Sequence, residues 1–149
     1  MMSPKVIVLD ANIIIRAVLG NKVRTLITAN IETVDFFTPD VCLADARKYL
    51  PILFEKRLIP TDPALKLLNN LTSLLHIVDD LVYKSSIEEA QLRIKSRDIQ
   101  DWPVVATALT LNCPIWTEDQ DFFGSGISIW TTDRVHLFFQ EDMKGKVHI

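Results

Sequence analysis

Two rhythms of apolar and polar positions run along the chain. Residues 5–9 read KVIVL, a continuous apolar run of the kind buried on both faces of a parallel sheet. Asp10 follows at once, then Asn12 and an apolar stretch that Gly20 stops. The segment KVRTLITAN predicts a second short helix, and residues 34–38 a second strand. Pro39 and Asp40 open the next helix, with Asp40 as its cap. Cys42, Ala46, Tyr49, Leu50 and Leu53 form the apolar face of that helix. Pro51 is expected to kink or split it, leaving residues 54–58 as a separate turn or helix. Asp62 and Pro63 then start an amphipathic helix through Leu65, Leu68, Leu71 and Leu75. Residues 76–78 are a third strand. Ser85 or Ser86 begins SSIEEAQLRI, which has Glu88 and Glu89 in the first turn and Arg93 in the last.

Residues 97–123, RDIQDWPVVATALTLNCPIWTEDQDFF, combine both rhythms. Counted from Asp101, Val104, Val105, Ala108 and Leu109 fall at i+3, i+4, i+7 and i+8, a helix stripe. Cys113 and Pro114 block its continuation, and residues 114–117 read as a short buried strand. Residues 128–131 make a last strand, and residues 135–140 carry no decisive pattern. Alternating strands and helices in this order predict a three-layer α/β/α sandwich with a mainly parallel central sheet.

Acidic residues collect at the ends of these elements. Asp10 follows one strand, and Glu118, Asp119 and Asp121 follow another. Open α/β sheets bind ligands outside the carboxyl ends of their strands, so these acids can share one crevice. Asp101 begins a core-facing helix stripe, and Asp45 falls between Cys42 and Tyr49 on an apolar face. Each acid also has an ordinary structural role open to it. Asp10 and Asp101 suit helix caps, and Asp119 and Asp121 suit a turn before Gly124. Together they repel, because two charges ~4 Å apart cost roughly 4 kcal/mol at an effective dielectric near 20. A bound cation resolves that conflict, and a donor set of carboxylates suits Mg²⁺ or Mn²⁺ rather than zinc.

Composition narrows the partners. With 149 residues and 48% hydrophobic content, the chain is expected to form one domain over residues 1–149. A net charge of -3 argues against coating nucleic acid by bulk electrostatics. It leaves room for a basic rim, for which Arg93, Lys95 and Arg97 before Asp98, and Arg47 and Lys48 beside Asp45, are the candidates. Cys42 and Cys113 read as packed thiols and His76 as a strand residue. Trp102 reads as either core or a stacking face at the crevice. No apolar run approaches the ~18 residues of a membrane helix, and no leader is visible, so the expected setting is a reducing cytoplasm without a membrane partner.

Four blocks, VIVLDANIIIRA, PDVCLADARKYL, SRDIQDWPVVATAL and IWTEDQDF, resemble the PIN-domain family of metal-dependent nucleases over almost the whole chain. The resemblance implies a metal-dependent endoribonuclease whose acidic pocket holds one or two Mg²⁺ or Mn²⁺ ions. By position, Asp10, Asp101 and Asp119 match the family's acids, and Asp121 its frequent extra acid. Asn12 and Thr117 match its supporting polar positions, and Asp98 lies in its lead-in to the helix. Asp45 departs from the pattern, standing where the family usually has the longer Glu. The catalytic set implied is Asp10, Asp45, Asp101 and Asp119, with Asp10, Asp101, Asp119 and Asp121 on metal. Many small members are toxins held by a protein antitoxin, and family habit also suggests a homodimer. Two other classes compete. One is a catalytically weak PIN-like module that binds RNA or protein. The other is a receiver-type signalling domain, which expects a Lys after a late strand where this chain has Thr117, Glu118 and Asp119.

Overall fold

Five short strands lie at the centre of the computed structural model, which describes residues 4–140. They are β1 (Lys5–Leu9), β2 (Val34–Pro39), β3 (His76–Val78), β4 (Ile115–Trp116) and β5 (Ile129–Trp130). The order across the sheet is β3-β2-β1-β4-β5, and every pairing is parallel. The helices are α1 (Ala11–Leu19), α2 (Asn21–Thr28), α3 (Asp40–Lys56), α4 (Thr61–Thr72), α5 (Asp80–Tyr83), α6 (Ile87–Ile94), α7 (Trp102–Leu111) and α8 (Val135–Gln140).

Handedness distributes these helices. Right-handed crossovers from β1 to β2 to β3 move outward in one direction and place α1 to α4 on one face. The return from β3 to β4 moves the opposite way and places α5 to α7 on the other, so the three layers follow from the strand order. Contacts agree: α1 packs on α2, α3 and α4, whereas α7 packs on α5, α6 and the strands β1, β2 and β4. The direction of winding reverses between β1 and β4, the position where such sheets open a crevice.

Burial follows the sequence pattern. Ile7, Val8 and Leu9 of β1 are fully enclosed, and α7 is buried at every position from Pro103 to Ala108 because it lies between the sheet and its own outer layer. The buried apolar residues form one continuous cluster.

Several features differ from the sequence expectation, among them the N-cap of α3, which is Pro39 and not Asp40. First, α3 runs unbroken through Pro51. Leu50 and Phe54 are both buried on one side of it, while Pro51 itself is exposed. The ring and the missing amide therefore face solvent, and core packing on either side holds the helix together. Second, α4 begins at Thr61 after Pro60 rather than at Pro63, an end shift of the size that helix termini commonly show. Third, residues 135–140 form a helix whose Phe139 packs edge-on against Phe36 and Trp116, with ring centroids 5.7 and 5.8 Å apart. That contact is tertiary, so no local periodicity announces it.

Pro51→Ala should stabilise the protein. Proline costs about 3 kcal/mol relative to alanine inside a helix, partly offset by the stiffer unfolded chain that proline gives. The expected gain is roughly 2 kcal/mol, read in urea as a higher midpoint with unchanged slope. A lower midpoint would mean that the proline ring packs favourably where it stands.

Candidate functional site

The register of β1 and β4 builds the site. Val8 pairs with Ile115 and Leu9 with Trp116, so the next residues, Asp10 and Thr117, emerge side by side. The Thr117 hydroxyl donates to Asp10 Oδ2, and the Ile13 amide donates to Oδ1 at 3.0 Å. Asp10 is thus the N-cap of α1 and a member of the crevice at once. On the other side of β1, the Thr38 hydroxyl donates to the Leu9 carbonyl at 2.8 Å, which ties the end of β2 to the same edge.

The loop after β4 is folded on itself. The Asp119 amide donates to Thr117 Oγ1 at 2.9 Å, and Asp119 Oδ1 accepts from the Asp121 amide at 2.9 Å. These bonds make the turn that the sequence allows, and they aim the loop's acids back over the strand ends. Asp98 accepts from the Gln100 amide at 3.0 Å and starts the short turn that delivers Asp101.

Asp101 stands at the N-cap position of α7 but makes no capping bond. One physical reason lies next to it: the second helical residue is Pro103, which has no amide to offer. Asp101 Oδ2 is buried without any hydrogen-bond partner, the sole such side-chain oxygen or nitrogen among the described residues.

The acids converge on a cavity of about 270 Å³. Asp10, Asp45, Asp98, Asp101 and Asp119 line it, with Asn12 and the Cys42 thiol in its wall. Carboxylate oxygens of Asp98, Asp101 and Asp121 lie within 4.8 Å of one another. Burial, opposed by the Thr117 bond and reinforced by the charge of Asp119, lifts the Asp10 carboxyl from 3.8 to about 6. Burial and then the charges of Asp119, Asp98, Asp121 and Asp10 lift Asp101 to about 7. Cys42 is pushed up by burial first and by the charge of Asp10 second, so it stays a thiol.

These residues fit a hard divalent cation. The donors are carboxylate oxygens, several are crowded, and one of them lacks any proton donor of the protein's own. A second acidic group, Asp40, Asp79 and Asp80, lies on the α3 and α5 starts. There Asp40 accepts from the Tyr83 hydroxyl at 2.7 Å, and Asp79 and Asp80 are exposed.

A family model of the PIN domain matches residues 8–140. The chain belongs to the PIN-domain family. Solved structures with the same fold include VapBC2 from Rickettsia felis bound to a DNA fragment from their promoter, at 14% identity and a TM-score of 0.63. That match covers 85% of this chain and 98% of that one. PAE2754 from Pyrobaculum aerophilum aligns at 15% identity and a TM-score of 0.57, over 91% of this chain and 89% of that one. FitAcB from Neisseria gonorrhoeae aligns at 19% identity and a TM-score of 0.53, over 85% and 97%. Comparison with curated proteins finds no match.

In this PIN domain the expected cations are not all available. Arg93 is committed to structure: its Nε donates to Glu89 at 2.9 Å, and its Nη1 to the Ser125 carbonyl at 2.8 Å. Arg47, Lys48, Lys95 and Arg97 are exposed, with Lys48 over the Tyr49 ring at 5.4 Å. Trp102 packs edge-on against Tyr83 at 5.7 Å. The apolar face of α3 is Cys42, Ala46, Leu50 and Phe54, so Tyr49 and Asp45 stand at its border and are exposed. From there Asp45 still reaches the cavity.

Arg16 and Arg57, which the sequence pattern does not single out, line a second cavity together with Glu118 and Asp119. Arg16 is four residues from Asn12, one helical turn along the same face, and that spacing was the available signal. Arg57 caps the end of α3, and the expected break at Pro51 concealed its place.

A raised carboxyl pKa makes folding less favourable as pH rises. The favourable state of Asp101 is fully present below about 3.8, its unfolded value, and is lost as pH climbs through about 7. In EDTA, Asp101→Asn should therefore melt higher than the parent chain by a margin that grows from pH 4 to pH 8. The margin expected at the upper end is on the order of 1 kcal/mol, or a few degrees for a chain of this size. An equal margin at both ends of the range would remove buried charge as the explanation.

Proposed function

We propose that this PIN domain is a metal-dependent endoribonuclease. The observation that carries the reading is the buried, unpartnered oxygen of Asp101 in a cavity lined by acids at the turning point of the sheet. Asp10, Asp101, Asp119 and Asp121 are the proposed ligands, with Mg²⁺ or Mn²⁺ as the ion. The closeness of Asp98 to Asp101 and Asp121 supports giving it a share in holding the ion. Held by these carboxylates, such an ion would offset their repulsion and would supply Lewis acidity for hydrolysis of a phosphodiester.

The remaining residues have positional work in this reading. Thr117 fixes Asp10, and Asn12 lines the cavity beside it. Asp45, on the opposite helix, orients a water or a second ion. Arg47 and Lys48 on α3, and Lys95 and Arg97 after α6, are exposed and available to phosphates. A free-thiol pair, Cys42 and Cys113, fits a reducing cytoplasm, and no helix among the described residues is long and apolar enough to cross a membrane. The finer reading is that of a toxin with a protein antitoxin as partner. It rests on the family's small single-domain members.

A test is cleavage of a single-stranded RNA in Mg²⁺ or Mn²⁺. EDTA should abolish it, and Asp101→Asn or Asp119→Asn should lower kcat on the order of 100-fold. RNA binding without cleavage in either metal would favour the binding-module reading, which the shorter Asp45 supports. Asp45→Glu separates the two further. If side-chain reach limits turnover, the added methylene should raise kcat several-fold; unchanged turnover would mean that Asp45 already reaches its partner.

A further inference from the structure

A groove of about 800 Å³ adjoins the acid cavity, and the two share Asn12, Ile15 and Asp119 in their walls. Its cations outnumber its acids, three against Glu118 and Asp119. Arg16 of α1, Lys22 at the start of α2 and Arg57 at the end of α3 all line it. We propose that this groove is the track for the RNA strand on one side of the bond to be cut, with Arg16, Lys22 and Arg57 holding its phosphates. The proposal rests on the nuclease reading of the neighbouring acids and adds where its substrate lies.

Several observations favour a polyanion as occupant. The acids repel phosphate, so a strand brought to them needs cations alongside. Neither Arg16 nor Arg57 makes an ion pair or side-chain hydrogen bond among the described residues. Lys22 meets only Asp133, at 3.4 Å, with side chains 67% and 86% exposed, a contact too solvated to hold it. Glu118, the groove's other acid, accepts from the Thr132 amide and is partly satisfied. The first turn of α2 opens on the same groove, and no side chain caps it, which adds amide donors to the three cations. Apolar side chains such as Ile15 and Leu53 complete the wall. They suit the ribose and base edges of a strand held by its backbone rather than read by sequence. A space of this size takes one or two nucleotides, judged against pockets of ~300–1,000 Å³ that hold drug-sized ligands.

The test is binding of a labelled single-stranded RNA by fluorescence anisotropy, in EDTA, across a salt series. Each phosphate contact on a single strand contributes about 0.7 to the slope of log K against log salt. The triple variant Arg16→Ala, Lys22→Ala, Arg57→Ala should lose about 2 from that slope and bind at least tenfold more weakly at low salt. Lys66→Ala with Lys84→Ala, which removes exposed cations lining neither cavity, should leave the slope unchanged. An unchanged slope in the triple variant overturns the track, as expected if the groove receives a polypeptide instead. A slope that falls only in Lys95→Ala with Arg97→Ala also overturns it and moves the strand to the other rim. Cleavage in Mn²⁺, run alongside, keeps the two ideas apart. A parent chain that binds through the groove yet never cuts sinks the nuclease reading and leaves the track standing. One that cuts while the triple variant keeps its slope sinks the track alone. A parent chain that binds no RNA in either buffer overturns the track. Melting curves of each variant establish that it is folded.

Discussion

Two residue pairs, Val8 with Ile115 and Leu9 with Trp116, join the halves of the sheet at its point of reversal. Everything at the acid cavity depends on that register. One residue beyond it, Asp10 meets Thr117, and Thr117 in turn anchors the loop that carries Asp119 and Asp121. A slip by one position would turn every side chain of β4 to the opposite face. Trp116 would then leave its packing against Phe36 and Phe139, and the acids of the loop would lose the strand end they overlie. The large aromatic contact therefore fixes the geometry of a small polar one.

The cavity is a place where packing and charge disagree. The fold buries Asp10 almost completely and leaves an oxygen of Asp101 without a donor. Elsewhere the protein satisfies its acids: Asp79 caps α5, Asp40 receives the Tyr83 hydroxyl, and Glu89 holds Arg93. Such contrast within one molecule is the usual mark of a functional site, where unfavourable placement is tolerated for what it binds. Belonging to the PIN-domain family agrees with that reading, and the local chemistry stands independently of it.

Much of this architecture was legible in the chain because it is written in local periodicity. KVIVL and VVATAL announce a buried strand and a buried helix, and their burial in the fold follows. The acids were visible because Asp after an apolar strand is conspicuous. What escaped depended on contacts distant in sequence. The short α5 has too few residues for a pattern, and α8 is held by Phe139 against Phe36 and Trp116. Pro51 misled for the same reason, since a local rule predicts a break and tertiary burial of Leu50 and Phe54 overrides it. Among the acids, the spacing of Asp98 and Asp101 showed a shared lead-in. Their close approach to Asp121 required the loop to fold back.

The bond between Thr117 and Asp10 spans 107 positions. Contacts so far apart in the chain carry a larger entropy of loop closure than local ones. A chain growing from its N-terminus holds Asp10 early but has no acid cavity until the loop after β4 has emerged and docked. One part of the cavity is a strand end with a capped helix, the other a polar loop. Synthesis itself thus sets the order in which the parts of the cavity can come together.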